Sequence, residues 1–405
     1  MKNLAFWLKF SIFNFILVAV LGVIMRYKIA FSFPFLDQKY TQEAHSHFAF
    51  YGWITQIIYV FIIDYLAKYL NEKQLKKYHT LLVINAVSAL LMIPSFLYSG
   101  YFWASIATST ICLLTSFAFF YFIIMDLKGK RDLAKPWFLA GLFFAVISSA
   151  GVFNLSYMMM SGNINQQVYL ASTYYFLHYQ YNGFFLLACI GLLMNSLQKW
   201  GVEVPEKENK QIFWLTAIGA FVGFGLSVLW LKLPLWIFII IVIATVAQTV
   251  GSFKLYLLVK RNWSKLILAL SPMQRFVLFF VGFAYFVKIM LQLFSNIPAV
   301  SQFAFGFRNV VIAYLHLILL MCISVFLVNQ ILGTNIFKMT KPVLTSLKLL
   351  LLGIFLNEAV LGIMGIFSIK YVPVPYSQYI LLGVSVLMLV SLIMMLLSLK
   401  KKEIQ

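Results

Sequence analysis

Residues 376–399 read YSQYILLGVSVLMLVSLIMMLLSL, a run with no charge at all, and Lys400-Lys401-Lys402 follow at once. A helix of that length rises ~1.5 Å per residue and crosses a hydrocarbon core of about 30 Å, with the lysines marking the end left in water. Runs of the same kind recur back to the start of the chain, at about 4–25, 44–67, 78–99, 101–125, 136–160, 169–197, 211–231, 234–259, 272–294, 306–331 and 343–368, divided by Pro, Gly and charged residues. Composition agrees. Of 405 residues 63% are hydrophobic and 10% charged, with a mean hydropathy of +0.93, whereas a soluble protein needs roughly a quarter charged. The expected fold is therefore all-α: a polytopic membrane protein of twelve transmembrane helices, forming a single domain over 1–405. No small-residue cleavage site follows the first run, which is read as a true span.

The net charge of +20 would suggest nucleic acid in a soluble protein. Here the cations alternate by loop, so no nucleic-acid partner is implied and the partner is the lipid bilayer. Lysines and arginines gather after the second span (Lys68, Lys73, Lys76, Lys77), the fourth (Lys128, Lys130, Arg131, Lys135), the sixth (Lys199, Lys207, Lys210), the eighth (Lys260, Arg261, Lys265), the tenth (Lys338, Lys341) and the twelfth. The loops after the seventh and eleventh spans carry only Lys232 and Lys370. The positive-inside rule then puts both termini in the cytoplasm. Cys112, Cys189 and Cys322 lie singly in apolar runs, which argues against disulfides or covalent haem attachment.

Ionisable residues are expensive in lipid, so the five histidines point to the chemistry. His79 sits beside Lys76 and Lys77 and reads as interfacial. His45 stands 23 residues before Lys68, His178 21 before Lys199, and His316 22 before Lys338. On spans running the same way, these three share one depth to within ~3 Å. Histidines at one level suit a metal or a metalloporphyrin, with hydrogen bonding to separate neighbours as the plainer alternative. His45 and His47 are ~200° apart on a helix and cannot both bind one iron. His45 shares its face with Ala49, Gly52 and Gln56, where small residues leave room for a flat macrocycle. The reading favours His45, with His47 as a supporting donor or propionate contact. Arg308, eight residues before His316 and ~12 Å along the helix, is placed for a haem propionate or, as plausibly, snorkels to the interface. Lys288 and Glu358 are the other deep charges, read as an ion pair or a proton relay.

Three short motifs resemble the catalytic subunit of the haem-copper oxidase superfamily, which includes the bacterial nitric oxide reductases. Glu43-Ala44-His45-Ser46-His47 is similar to the second-helix motif carrying an axial ligand of the low-spin haem. Ala313-Tyr314-Leu315-His316-Leu317 resembles the tenth-helix His-x-His, with His316 in the place of the second low-spin ligand. His178-Tyr179-Gln180-Tyr181-Asn182-Gly183 is similar to the sixth-helix His-x-x-x-Glu-Gly of nitric oxide reductases, with Asn182 for the glutamate. The NnrS-type haem membrane proteins are a second family it resembles in length, span number and histidine-rich second helix.

The resemblance implies one haem b held by His45 and His316, in the cytoplasmic membrane of a bacterium, with quinol or a cytochrome as electron donor and small respiratory subunits as partners. Any catalysis would be that of a haem-dependent oxygen or nitric oxide reductase. Tyr314 replaces the proximal histidine of the high-spin haem, and span seven has no histidine. A second haem or a copper is therefore not expected, His178 is at most a weak metal ligand, and His178, Asn182 and Tyr314 would line a residual pocket. The competing class is a twelve-helix secondary transporter without haem.

Overall fold

The computed structural model describes residues 3–231, 233–368 and 370–402, and within these not the side chains of residues 303–305. Lys232 of the charge reading lies outside them. Among the described residues twelve helices are long and apolar enough to cross a membrane: Leu4–Ala30, Gln38–Leu66, Glu72–Ser99, Trp103–Asp126, Lys135–Ser161, Gln166–Lys199, Glu206–Val228, Leu235–Arg261, Pro272–Phe294, Arg308–Leu332, Lys341–Ser368 and Ser377–Ser398. They are spans 1–12 below.

Several helices begin well before their apolar runs because polar residues cap them. Asp37 accepts from the amides of Lys39 and Tyr40, so span 2 starts in polar sequence. Asn71 with Gln74, and Ser271 with Gln274, form reciprocal capping boxes at spans 3 and 9. Asn165 caps span 6 through the amides of Gln167 and Val168. Each cap satisfies donors a first turn leaves open, a contribution of about 1 kcal/mol that hydropathy does not register.

The chain divides into two compact units. The first unit joins Met1–Phe119 to Ser324–Gln405, and so holds spans 1–3, most of span 4, the end of span 10, and spans 11 and 12. Here span 12 packs on spans 1 and 11, and span 2 on spans 1 and 3. An antiparallel bridge links Phe337 to Lys401, with the Lys338 amide on the Lys400 carbonyl at 2.9 Å and the Lys402 amide on the Ile336 carbonyl at 2.8 Å. The ammonium of Lys9 lies over the Phe337 ring. The start of span 1, the segment after span 10 and the chain's last described residues thus meet at one end of this unit.

The second unit, Phe120–Ile323, holds the end of span 4, spans 5–9 and most of span 10. Span 5 packs along span 6, and span 8 packs on spans 7 and 9. Spans 2 and 6 are the interior helices. Of their most apolar windows 89% and 83% of residues are buried, against 33–50% for every other span. The outer spans present Leu, Ile, Phe and Trp side chains, Trp236, Ile240 and Ile243 among them, as a lipid-facing surface requires.

Candidate functional site: three histidines at π-helical turns

Spans 2, 6 and 10 are not uniform α-helices. Each contains a π-helical stretch, at Phe48–Thr55, Tyr179–Phe185 and Leu317–Ser324, and each stretch begins immediately after a histidine: His47, His178 and His316. π-Helical turns are rare and concentrate at functional sites, because the wider turn displaces the side chains and carbonyls around it. Neighbours hold the turn open by bonding those carbonyls. In the first unit Asn14 donates to the Gly52 carbonyl at 2.6 Å, and Asn85 donates to the Tyr51 carbonyl at 3.0 Å and to Gln56 Oε1 at 2.7 Å. Trp53, stacked on Phe15 at 4.4 Å, donates its indole N–H to Ser324 Oγ at 2.8 Å.

Two of the histidines in and before these turns are used on both nitrogens. His47 donates from Nδ1 to the Glu43 carbonyl at 2.9 Å, leaving Nε2 to accept from the Tyr101 hydroxyl at 3.0 Å, and its ring stacks on Phe96. In the second unit His178 donates from Nε2 to the Ala220 carbonyl at 2.8 Å, and its Nδ1 accepts from Asn182 Nδ2 at 3.2 Å. The Tyr179 hydroxyl donates to the next carbonyl, Phe221, at 2.9 Å. Those two carbonyls become available because span 7 tightens from α-helix into a 3-10 turn at Gly223–Val228. For His178 to ligate a metal, one of its two bonds would have to be given up.

His45 and His316 also bond main-chain carbonyls. His45 donates from Nδ1 to the Val18 carbonyl at 3.1 Å, and His316 from Nδ1 to the Ile312 carbonyl at 2.9 Å. In each ring the proton sits on Nδ1 and the lone pair on Nε2. That is the tautomer of a metal-ligating histidine whose other nitrogen is fixed by a main-chain carbonyl. Gly22 of span 1 faces the His45 ring, where a Cβ would stand 3.5 Å from Cε1. His45 belongs to the first unit and His316 to the second.

The remaining expected residues fall as follows. Gly52 offers no room to a macrocycle, since its missing side chain is replaced by the ring of Phe48, 2.3 Å from where a Cβ would be. Arg308 is exposed at the first turn of span 10. His178, Asn182 and Tyr314 do come together: Tyr314 lies beside Asn182, and its ring meets that of Tyr181 at 6.1 Å. Glu358, in the first unit, accepts from Asn357 Nδ2 at 3.0 Å and feels the charge of Arg26. Lys288 lies in the second unit.

The sequence reading missed the π-helical turns, the Asn14 and Asn85 donors, and a local echo that could have revealed them. His47-Phe48-Ala49-Phe50-Tyr51-Gly52-Trp53 and His178-Tyr179-Gln180-Tyr181-Asn182-Gly183-Phe184 share the pattern His-aromatic-x-aromatic-x-Gly-aromatic. No group of three His, Cys, Asp or Glu residues among the described residues could hold a metal ion by itself. A porphyrin brings four nitrogens of its own and asks the protein for one or two. No family model matches the chain, and no curated protein matches it.

Proposed function

We propose that this twelve-span protein binds haem b in the cytoplasmic membrane of a bacterium, with His45 and His316 donating to haem iron, and serves respiratory electron transfer or nitric oxide and oxygen handling. The observation that carries the reading is the shared anchoring of these two rings, each with Nδ1–H on a main-chain carbonyl, as in a histidine oriented for metal ligation. Their residues fit the group. A bound haem would supply one-electron chemistry at iron, and two neutral imidazoles suit a low-spin centre that changes little between oxidation states. The chain's own part is to fix those rings. The Val18 and Ile312 carbonyls set their orientation. His47 and His178, bonded on both nitrogens, serve to hold the π-helical turns rather than to ligate.

A reduced-minus-oxidised absorption spectrum of the purified protein, with haem quantified after extraction, tests the reading. The expected result is near one haem per chain with a sharp alpha band that His45→Ala and His316→Ala each remove. Less than a tenth of an equivalent from haem-replete cells would refute it.

A further inference from the structure

Lys288 of span 9 is fully buried, and its ammonium has no hydrogen-bond partner among the described residues. Gln292, one turn further, also ends with Oε1 unpaired among the described residues. Nearest in geometry is Tyr285 on span 9, whose ring centre is 5.9 Å from Nζ, and Cys322 on span 10 and His178 on span 6 are near enough to couple electrostatically. None is a carboxylate. The whole of 209–323 contains no Asp or Glu, and neither does 133–202, so no membrane-spanning part of spans 5–9 can supply a counter-charge.

A second orphan donor stands at the same level. Spans 8 and 9 run in opposite directions and are pinned by Ser252 Oγ and the Tyr285 hydroxyl at 2.7 Å. One turn back from Ser252 is Gln248, and one turn on from Tyr285 is Lys288, so the two side chains lie at one depth. Gln248 is buried with Nε2 unpaired, and its Oε1 lies near Gly223, beside the His178 ring. Leaving an ammonium and an amide donor bare in a dry interior costs several kcal/mol, a cost that a ligand rich in acceptors and carrying one negative charge removes.

We propose that Lys288 and Gln248 form a binding site for a small monovalent oxyanion or halide inside the second unit. The site is independent of haem, since it uses neither His45 nor His316. It gives spans 8 and 9 a reason to carry a lysine and a glutamine where packing alone would favour leucine.

Thermal unfolding of the purified protein in detergent, at constant ionic strength, with sodium nitrate or sodium chloride replacing sodium gluconate, tests this. Nitrate and chloride are weak ligands of haem iron, and an unchanged Soret band during the titration places the effect elsewhere than at the iron. Saturable stabilisation of the wild type is expected. Lys288→Met should weaken the apparent affinity at least tenfold, and Gln248→Leu severalfold, while Lys254→Gln, at a half-buried cation on the same span as Gln248 that is bonded to Gln211, leaves it unchanged. Lys288→Met should fold well, because an apolar chain of similar length replaces an unpartnered charge. No anion-dependent stabilisation of the wild type, or undiminished stabilisation in Lys288→Met, overturns the proposal.

Discussion

The two units carry the same seven-residue pattern and use it differently. In span 2 the stretch from His47 to Trp53 opens a π-helical turn whose carbonyls are taken by amide side chains from spans 1 and 3. In span 6 the stretch from His178 to Phe184 opens a matching turn, but here its own side chains reach outward, His178 and Tyr179 bonding the carbonyls of span 7. Both pattern histidines are bonded at each nitrogen. What span 6 lacks is a histidine two residues earlier: Phe176 stands where span 2 has His45. The histidine that the two spans share is thus bonded at both nitrogens in each, and it is the unshared His45 that the proposal assigns to haem.

The sharpest way to break this comparison is to exchange the histidines' fates. His45→Ala is expected to lower bound haem more than tenfold, whereas His47→Ala and His178→Ala, if they insert, keep the alpha band. Retained haem in His45→Ala with loss in His47→Ala would reverse the assignment. Asn85→Leu should come next, since it strips a donor from both Tyr51 and Gln56. The cost is about 1–3 kcal/mol for each acceptor left bare, read as a lowered unfolding midpoint in detergent. His178→Phe bares one main-chain carbonyl, Ala220, and should cost about 1–3 kcal/mol with haem content unchanged. Gly183→Ala sets a Cβ 2.5 Å from the Phe144 ring. It should destabilise by about 1–3 kcal/mol, less if that ring can turn aside. The smallest effect is expected from Arg261→Ala, which removes a largely exposed pair with Glu208 at 2.7 Å and should cost less than about 1 kcal/mol.

Much of the fold was open to reading because lipid imposes it. A chain that must bury every backbone donor in hydrocarbon has little choice but helices of about twenty residues, so 376–399 and its counterparts could be marked from apolar length alone. Helix starts were less legible, since Asp37, Asn71 and Asn165 extend helices into polar sequence through caps. The π-helical turns were not legible at all from composition. They depend on Asn14 and Asn85, donors distant in sequence, and nothing about either asparagine announces which carbonyl it will meet. At the site, the histidines could be singled out by their cost in lipid, but that His45 would bond the Val18 carbonyl, and His47 the Glu43 carbonyl and the Tyr101 hydroxyl, could not be read. Gly52 shows the opposite limit. A glycine signals a close approach without saying whether a cofactor or the protein's own Phe48 makes it.

The first unit is discontinuous, joining residues 1–119 to 324–405, whereas the second is one unbroken segment. During synthesis, spans 5–9 can therefore find all their neighbours as they emerge, while span 1 must wait for span 12, its packing partner, to leave the ribosome. At elongation rates of about 5–20 residues per second that interval is on the order of tens of seconds. For that time the face of span 1 that span 12 will cover is open to lipid or to a membrane chaperone.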